Sequence, residues 1–368
     1  MRRSGREWVL IASGNAAAQG KARSAVAAVR AAASAGYRTA LTVSDGVSWA
    51  AASRHCDLRV KVPRPDGPDY ARAVHRELAR RPYAGVLPAS DQALVQLDPE
   101  SGRFLDKSVL AGLAREAGVP TPSSMMFDSP SEVVAAGRRL SYPAVAKPAV
   151  TRGSSVLLRR PEDIRKVRWA GDEPIVVQPF LSGTCSSVGG VMWRGRLVAA
   201  VHQRHLRHWP EVCGNVCAAV TVRPDARVES GLERLMEGFG GIFQAQFIGP
   251  YLIDVHPRIY ASHPLAEAAG ANLVAVYCAL LKGAEVAWIR GRPGVRYRWT
   301  RGDVSFVVAG LRAGELSWVE GARMLAPHGG TAHSMESLSD PGPMLVRFRH
   351  NAQRSLTRRL RRPADPVG

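Results

Sequence analysis

The chain has 368 residues, of which 46% are hydrophobic and 22% are charged. This composition is that of a folded globular protein, and it excludes a collagen-like, fibrous or largely disordered chain, while the length is usual for two or three domains. The formal net charge is +19, but only six of the 50 basic residues are lysines. Because genome base composition can produce such an arginine bias, the charge alone is a weak indication of a nucleic-acid partner.

Cysteine usage and apolar run lengths bear on the compartment in which the protein functions. Five cysteines are scattered over the chain, and this odd, widely spaced set does not resemble a disulfide framework. The pattern is typical of a reducing compartment, so we expect a cytoplasmic protein. The N-terminal apolar run is shorter than the core of a signal peptide, and no stretch approaches the roughly 18 apolar residues of a membrane span.

Residues 1–100 are expected to form an α/β domain. Short apolar runs such as WVLIA and TALTV alternate with segments of helical periodicity such as ARSAVAAVRAAASAG. This alternation predicts a parallel sheet with helices on both faces, and Gly36 is placed to end the first helix. The first strand-to-helix turn lacks the G-x-G-x-x-G spacing, so we expect a Rossmann-like topology that does not require a dinucleotide.

Residues 101–172 contain a helix and a strand that each carry one of the rare lysines. Asp106 can cap a helix whose first turn holds Lys107, where a lysine opposes the helix dipole and a ligand phosphate would explain it. A predicted strand then ends at Lys147 and is followed by a Gly/Ser turn over residues 153–155. Backbone amides of such a turn can surround phosphate oxygens, although most Gly/Ser turns only connect strands.

Residues 173–300 are expected to form an α+β domain on an antiparallel sheet. A hairpin is predicted to turn at Arg194 and Gly195, and it is followed by a further strand, an amphipathic helix and two more strands. The strongly apolar run over residues 273–281 predicts a buried helix. The remaining residues, 301–368, are expected to form a C-terminal extension that ends in a basic tail.

The order of these segments resembles the ATP-grasp superfamily. After the first domain come DKSVLAGLAREAGVPTP, YPAVAKP with its Gly/Ser turn, IVVQPFLSG, and LIDVHPRIYASHPLAEAAGANL. The likeness covers residues 8–290, and the motifs most resemble those of carboxylate-amine ligases of the carbamoyl-phosphate-synthase-like branch. The resemblance implies a Rossmann-like N-terminal domain followed by two α+β subdomains that close over ATP, a small one within 101–172 and a large one within 173–300.

The resemblance also implies an activity. Enzymes of this kind transfer the γ-phosphoryl group of ATP to a substrate carboxylate, and an amine then displaces phosphate from the acyl phosphate to form an amide or peptide bond. The partners would be a small-molecule carboxylate and a small-molecule amine rather than nucleic acid. A homodimer is compatible with the sequence. The motifs do not identify either substrate.

Individual residues acquire roles from the resemblance. Lys147 would contact the α- and β-phosphates with help from Lys107, and the backbone of residues 178–181 would bind the adenine edge. Arg204 and Arg258 would face the transferred phosphoryl group. The positions implied in nucleotide binding are Lys107, Lys147, Gly153, Ser154, Ser155, Gln178, Pro179, Phe180, Leu181 and Cys185.

The implied metal site departs from the family pattern. Where most members bind Mg²⁺ (with Mn²⁺ as the alternative) through a Glu and a following Glu-x-Asn, this chain has Gln246, Asp254 and His256. Mg²⁺ prefers hard oxygen ligands, and only one carboxylate remains here. Cys185 also replaces a common acid near the ribose. Two hypotheses follow: an ATP-dependent ligase with an atypical metal site, which the retained lysines favour, or a degenerate ATP-grasp protein that binds nucleotide or metabolite without ligation.

A histidine- and cysteine-rich stretch invites a zinc hypothesis. Its residues are of the types that zinc prefers, but their spacing matches no common zinc module, and alternation along a strand would separate His202 from His205. We therefore favour a loop that lines the substrate site over structural zinc. The cluster comprises His202, His205, His208, Cys213 and Cys217.

The C-terminal run of arginines could bind an anionic surface or nucleic acid through phosphate contacts. Charge runs of this kind are more often solvated, so we expect a solvated helix and tail. The arginines are Arg347, Arg349, Arg354, Arg358, Arg359, Arg361 and Arg362.

Overall fold

A computed structural model describes residues 7–13, 21–44, 46–150, 155–166 and 174–360. Three β-sheets follow one another along these residues, and helices cover their faces. The mixed α/β architecture that the sequence predicts is therefore present. Gly153, Ser154, Arg361 and Arg362 lie outside the described residues.

The first sheet is parallel, as the alternating pattern predicts. Val9 and Ile11 pack into the apolar cluster that contains the first helix, whereas Leu10 and Ala12 pack on the opposite face beside the second helix. Helices thus cover both faces, and Gly36 follows the first helix with a φ of 91°, which glycine adopts readily. The strands are β1 (Trp8–Ala12), β2 (Arg38–Val43), β3 (Leu58–Lys61) and β4 (Tyr83–Pro88), in the order β3-β2-β1-β4, with helices α1 (Lys21–Ser34), α2 (Tyr70–Leu78) and α3 (Asp91–Leu97) and a 3-10 turn at Ala50–Ala52.

The second sheet is antiparallel and corrects one predicted boundary. A division after residue 172 would assign the strand at Ile175–Pro179 to the large subdomain, but this strand pairs with Met125–Phe127 and Ala144–Pro148. An apolar run indicates that a strand is present, but not which strand it pairs with. The sheet has the order β5-β8-β6-β7, with β5 (Met125–Phe127), β6 (Ala144–Pro148), β7 (Val156–Leu158) and β8 (Ile175–Pro179); nearby are α4 (Pro99–Gly102), α5 (Lys107–Glu116), α6 (Pro130–Ala135) and 3-10 turns at Arg103–Leu105, Gly137–Arg139 and Pro161–Lys166.

The third sheet is the largest of the described residues and is mainly antiparallel. Its long hairpin turns at Arg194 and Gly195, as predicted, and both residues have positive φ (50° and 76°). One face packs on α1 and the buried helix α9, and the other face packs on α5 and α7. The order is β13-β12-β9-β10-β11-β15-β16 with β14 beside β10, formed by β9 (Cys185–Trp193), β10 (Arg196–Trp209), β11 (Asn215–Thr221), β12 (Gly241–Ile248), β13 (Tyr251–His256), β14 (Ile289–Arg290), β15 (Arg296–Arg298) and β16 (Ala332–His333), with α7 (Ala226–Leu235), α8 (His263–Ala268) and α9 (Leu273–Leu281).

The C-terminal part is integrated into the fold rather than extended from it. Strand β16 pairs with β15, and the Asp340 carboxylate accepts hydrogen bonds from Arg30 of α1 and from Ser53. Arg347 is 4% exposed and faces Glu336, so the expectation of a fully solvated basic run is wrong at this position; Arg349 is exposed. No helix among the described residues is both long and apolar enough to cross a membrane. The helices are α10 (Thr300–Ala313), α11 (Trp318–Leu325) and α12 (Gly342–Leu360).

Candidate active site

Two adjoining cavities form one cleft between the second and third sheets. Their volumes are about 410 and 400 Å³. The first extends along β8 and the segment after it, and the second extends along β13 to the start of α1. The residues that line both cavities are Lys147, Ser155, His205, His208, Cys213, Gly214 and Gln246.

The predicted adenine-binding segment lines the first cavity. Gln178, Pro179, Phe180 and Leu181 all contribute to its wall, and the half-buried Cys185 lies there as well. The Gln178 side chain donates a hydrogen bond to the Ser124 hydroxyl at 2.7 Å, which leaves the backbone to contact a ligand.

The backbone of this segment is partly committed within the protein. The Phe180 N–H donates to the Pro143 carbonyl at 2.9 Å, so it is already used. The Leu181 N–H, by contrast, has no backbone acceptor among the described residues.

The two predicted phosphate-binding lysines lie together in the second cavity. Lys147 is 7% exposed and Lys107 is 6% exposed. The Lys147 ammonium donates to the Ile253 carbonyl at 2.9 Å, and burial lowers the pKa of Lys147 to about 8, with a further contribution from the Lys107 charge. Two cations in a confined site favour an anionic ligand. Ser155 lines both cavities, whereas Gly153 and Ser154 lie outside the described residues.

The residues predicted to hold metal share one face of β12 and β13. Gln246 pairs directly with Asp254, and Gln244 pairs with His256, so all four side chains point into the second cavity. Burial would raise the pKa of Asp254, but Lys107, His256 and Lys147 together hold it below its usual value, so the carboxylate is ionised.

His256 adds an uncommitted nitrogen to this group. Its Nδ1 atom is buried and has no hydrogen-bond partner among the described residues, while its Nε2 atom lies 3.8 Å from Asp254 Oδ2. Burial lowers the pKa of His256, so the imidazole is neutral at neutral pH. One carboxylate and one amide oxygen fit a Mg²⁺ ion that takes most of its ligands from nucleotide phosphates and water. Within the described ranges, no cluster of three or more His, Cys, Asp or Glu side chains could hold a metal alone.

Arg258 follows β13 and lies in the same cavity. Its Nε–H donates to the Asp91 carboxylate, and its Nη1–H donates to the Ile259 carbonyl at 2.8 Å. Asp91 begins α3, so this ion pair fixes the guanidinium at the edge of the first sheet. The two contacts hold the side chain in one orientation in the cleft.

Arg204, the second arginine expected at the phosphoryl group, does not reach the cleft. Strand β10 places neighbouring side chains on opposite faces, and Gln203 faces the cleft side, where it contacts the Ser262 hydroxyl. Arg204 therefore lies on the other face, is exposed and lines neither cavity. The expectation for Arg204 is wrong because the motif match did not establish which face of the strand this residue occupies.

The histidine-rich stretch lines the cleft through His205 and His208. His205 Nδ1 lies 3.0 Å from His208 Nε2, and His205 Nε2 lies 2.8 Å from the Ser187 hydroxyl. His202 is on the opposite face with Glu229, as strand alternation predicts. Burial lowers the pKa of His205 to about 3, so the imidazole pair is neutral between the two cavities.

Comparisons with known proteins find relatives at the level of structure only. No family model and no curated protein matches the sequence. An L-amino acid ligase from Bacillus licheniformis superposes with a TM-score of 0.56 at 16% identity, over 75% of this chain and 74% of that one. The biotin carboxylase domain of a Hydrogenobacter thermophilus 2-oxoglutarate carboxylase, solved with MgADP and bicarbonate, gives 0.59 at 16% identity over 79% and 73%.

An N5-carboxyaminoimidazole synthetase from Staphylococcus aureus, solved with ADP, gives a TM-score of 0.59 at 13% identity over 77% of this chain and 79% of that one. The chain has the ATP-grasp fold. At these identities the likeness concerns the fold alone.

The cleft contains two residues that the motifs did not indicate. Arg23, in the first turn of α1, lines the second cavity although it is 1% exposed, and Asp91 is the partner of Arg258. No local pattern singled out Arg23, which precedes the alanine- and valine-rich segment of α1. Asp91 lies 167 residues from Arg258, and no local pattern relates the two.

Proposed function

We propose that the protein is an ATP-dependent ligase that activates a carboxylate as an acyl phosphate and transfers the acyl group to an amine. One observation supports this proposal above the others: a single cleft joins the segment at residues 178–181 to the buried pair Lys107 and Lys147 and to Asp254 and Arg258. A nucleotide lying along this cleft would have its base in the first cavity and its phosphates in the second.

The reaction has two steps. A substrate carboxylate oxygen attacks the γ-phosphorus, the bond to the β,γ-bridging oxygen breaks, and ADP leaves. An amine then attacks the acyl carbon, inorganic phosphate departs with the bonding electron pair, and the amine loses a proton. Phosphoryl transfer depends chiefly on positioning and on neutralising negative charge. In this cleft Lys147 and Lys107 would bind the phosphates, and Arg258, held by Asp91, would face the transferred group.

The side chains of Asp254 and Gln246 would hold a Mg²⁺ ion on the nucleotide phosphates. A bound divalent cation supplies neutralisation of phosphate charge and orientation of the phosphoryl group. Asp254 is suited to this role because it is ionised, and the neutral His256 beside it adds no positive charge to repel the ion. Structural relatives solved with MgADP or ADP support the presence of a nucleotide site in this fold.

ADP production tests the ligase proposal. Purified protein would be incubated with ATP, Mg²⁺ or Mn²⁺, and a pool of amino acids, and ADP and phosphate would be measured. We expect ADP formation that depends on the pool and is lost in Lys147→Met. No ADP above background, in protein that nevertheless binds ATP, would contradict ligation and leave a binding protein.

A degenerate, non-ligating ATP-grasp protein is the second candidate. One observation favours it: a single carboxylate, Asp254, remains at the implied metal site. Gln246→Glu separates the two functions, because Gln246 pairs directly with Asp254 and the substitution creates a second carboxylate there. A degenerate site would gain metal-dependent nucleotide affinity without turnover. A working site that depends on the side-chain amide of Gln246 would lose turnover in this variant.

A further inference from the structure

A buried arginine to which the proposed chemistry gives no role lines the second cavity. Arg23 lies in the first turn of α1 and lines the second cavity together with Ser24 of the same turn. It is 1% exposed and ranks among the largest fully buried side chains. Ser24 and Ser262, 3% and 2% exposed, line the same cavity, so this end of the cleft is polar.

The guanidinium of Arg23 is incompletely satisfied. Its Nε and Nη1 atoms are buried and have no hydrogen-bond partner among the described residues. Its Cζ atom lies 4.0 Å from the centre of the Trp299 ring, so the plane of the side chain is supported by a cation–π contact. The Tyr297 hydroxyl donates to the Ala261 carbonyl at 3.2 Å and forms a side-chain hydrogen bond with the Arg23 guanidinium, so the unsatisfied atoms of Arg23 are Nε and Nη1.

The acids around Arg23 form ion pairs with other arginines, although Glu336 Oε1 is buried without a hydrogen-bond partner among the described residues. Glu336, whose charge acts on Arg23, lies 3.5 Å from Arg347. On the other side of the cavity, the Asp91 carboxylate accepts from Arg258. Two turns further along the same face of α1, Asp340 is 2.9 Å from Arg30. The described residues thus provide no carboxylate in hydrogen-bond contact with the Nε and Nη1 atoms of Arg23.

This arrangement is unfavourable unless an anion completes it. A guanidinium remains protonated in proteins, and a buried charged group that keeps unsatisfied hydrogen-bond donors is destabilising. An aromatic contact offsets only part of the loss of hydration. The fork of the guanidinium matches a carboxylate, which can accept two parallel hydrogen bonds from it.

We propose that Arg23 binds a carboxylate group of the small-molecule substrate, and that this substrate is a polar carboxylic acid of the amino-acid or hydroxy-acid type. The inference rests on the proposed function, because it places this group in the same cavity as the phosphate-binding lysines. The hydroxyls of Ser24 and Ser262 favour a substrate with hydrogen-bonding substituents over an aliphatic or aromatic acid. Arg23 therefore selects the substrate, while Lys147 and Arg258 act on the nucleotide.

Ligand binding to the full chain tests this assignment independently of turnover. The probes are L-alanine, L-aspartate, L-glutamate, lactate and succinate, with L-alaninamide as the matched compound that lacks a carboxylate. Each is titrated calorimetrically into the wild-type protein and into Arg23→Met, Arg23→Lys and the exposed control Arg196→Met, with and without a non-hydrolysable ATP analogue.

We expect the wild-type protein to bind at least one acid and not the amide. Arg23→Met should lower the affinity for that acid by about tenfold or more, which is the usual effect of losing a charge-assisted hydrogen bond. Affinity for the ATP analogue should be unchanged. Arg23→Lys, which keeps the charge but not the fork, should fall between them, and Arg196→Met should match the wild type.

Thermal unfolding separates substrate binding from a structural role. Because two of its three nitrogens have no hydrogen-bond partner among the described residues, loss of Arg23 should leave the ligand-free Arg23→Met protein about as stable as the wild type, whereas a structural arginine would lower the melting temperature. Unchanged acid affinity in both Arg23 variants, or a wild-type protein that binds the analogue but none of the acids, would overturn the proposal. Failure of the proposed function would appear differently, as absence of analogue binding or of ADP formation.

Discussion

The Arg258 side chain donates its Nε–H to the Asp91 carboxylate, and this ion pair joins β13 in the third sheet to α3 beside the first sheet. Arg258 is 10% exposed and Asp91 is 7% exposed, so water screens the pair little. Next to it, the Ile259 N–H donates to the Pro88 carbonyl at the end of β4. The position of Arg258 in the cleft therefore depends on how the first sheet packs against the third.

Asp91→Asn should lower turnover without weakening nucleotide binding. The amide cannot hold the guanidinium as the carboxylate does, and a displacement of about 1 Å at a reacting group can reduce the rate by roughly a hundredfold. Asp91 is in this sense a positioning residue. The measurement is kcat for ADP formation beside the Kd for ATP.

Arg258→Lys provides the second variant for this pair. It keeps a positive charge but loses the planar fork, so we expect a similar loss of kcat. A double variant no slower than either single one would show that the two residues act as one unit. Full activity in Asp91→Asn would show that Arg258 does not need this partner.

Nucleotide affinity should decrease as the pH rises above about 8. Burial lowers the pKa of Lys147 to about 8, so the free cleft retains this proton below that pH and loses it above. Phosphates bind the protonated form, so affinity is constant below pH 8 and falls as Lys147 deprotonates. Calorimetric Kd values for ATP across this range measure the effect.

The control for the pH dependence is Lys147→Arg, whose guanidinium keeps its charge throughout the range. We expect this variant to have a higher Kd for ATP than the wild type at neutral pH, and this Kd should not change as the pH rises past 8. The same decline in this variant as in the wild type would assign the titration to another group.

Local patterns in the sequence predicted much of the fold. Apolar alternation indicated the strands, Gly36 marked the end of α1, and Arg194 with Gly195 marked the long hairpin. Each of these features depends on residues a few positions apart. Pairing between distant strands does not, which is why β8 was assigned to the wrong sheet.

The candidate site was predictable where residues belong to a motif, and not where partners come from distant elements. Lys107 and Lys147 lie together in the cleft, and their scarcity in the sequence had indicated them. Arg23 was missed because its significance depends on burial against Trp299, which is 276 positions away (299 − 23). Arg204 was misplaced because one residue along a strand reverses the face.

Asp303→Asn should destabilise the protein without changing the cleft. The Asp303 carboxylate is 0% exposed, accepts two hydrogen bonds from Arg207 (2.6 and 3.0 Å), and lies 3.0 Å from Arg298 Nε in a second ion pair. Replacing it leaves two guanidinium groups uncompensated, and removal of one partner of a buried ion pair lowers stability by about 3–5 kcal/mol. Denaturant unfolding measures this loss.

The exposed Asp128→Asn is the matched control, for which the change should stay within about 0.5 kcal/mol. The Kd for ATP should be unchanged in folded Asp303→Asn, because Asp303 lines neither cavity of the cleft. Equal stability of the two variants would mean that the Arg207–Asp303–Arg298 cluster contributes little to folding.

ATP should protect two cysteines from alkylation and leave a third unprotected. Cys213 is exposed and Cys185 is half-buried, and both line the first cavity, whereas the half-buried Cys56 lines neither cavity. Burial raises the pKa of all three thiols, so labelling with iodoacetamide is done at alkaline pH, where more thiolate is present. Mass spectrometry of labelled peptides gives a rate for each cysteine with and without nucleotide.

Slower labelling of Cys185 and Cys213 at an unchanged Cys56 rate would support a nucleotide in the first cavity. Equal slowing at all three would indicate general stabilisation, and no slowing at Cys185 and Cys213 would mean that the base binds elsewhere.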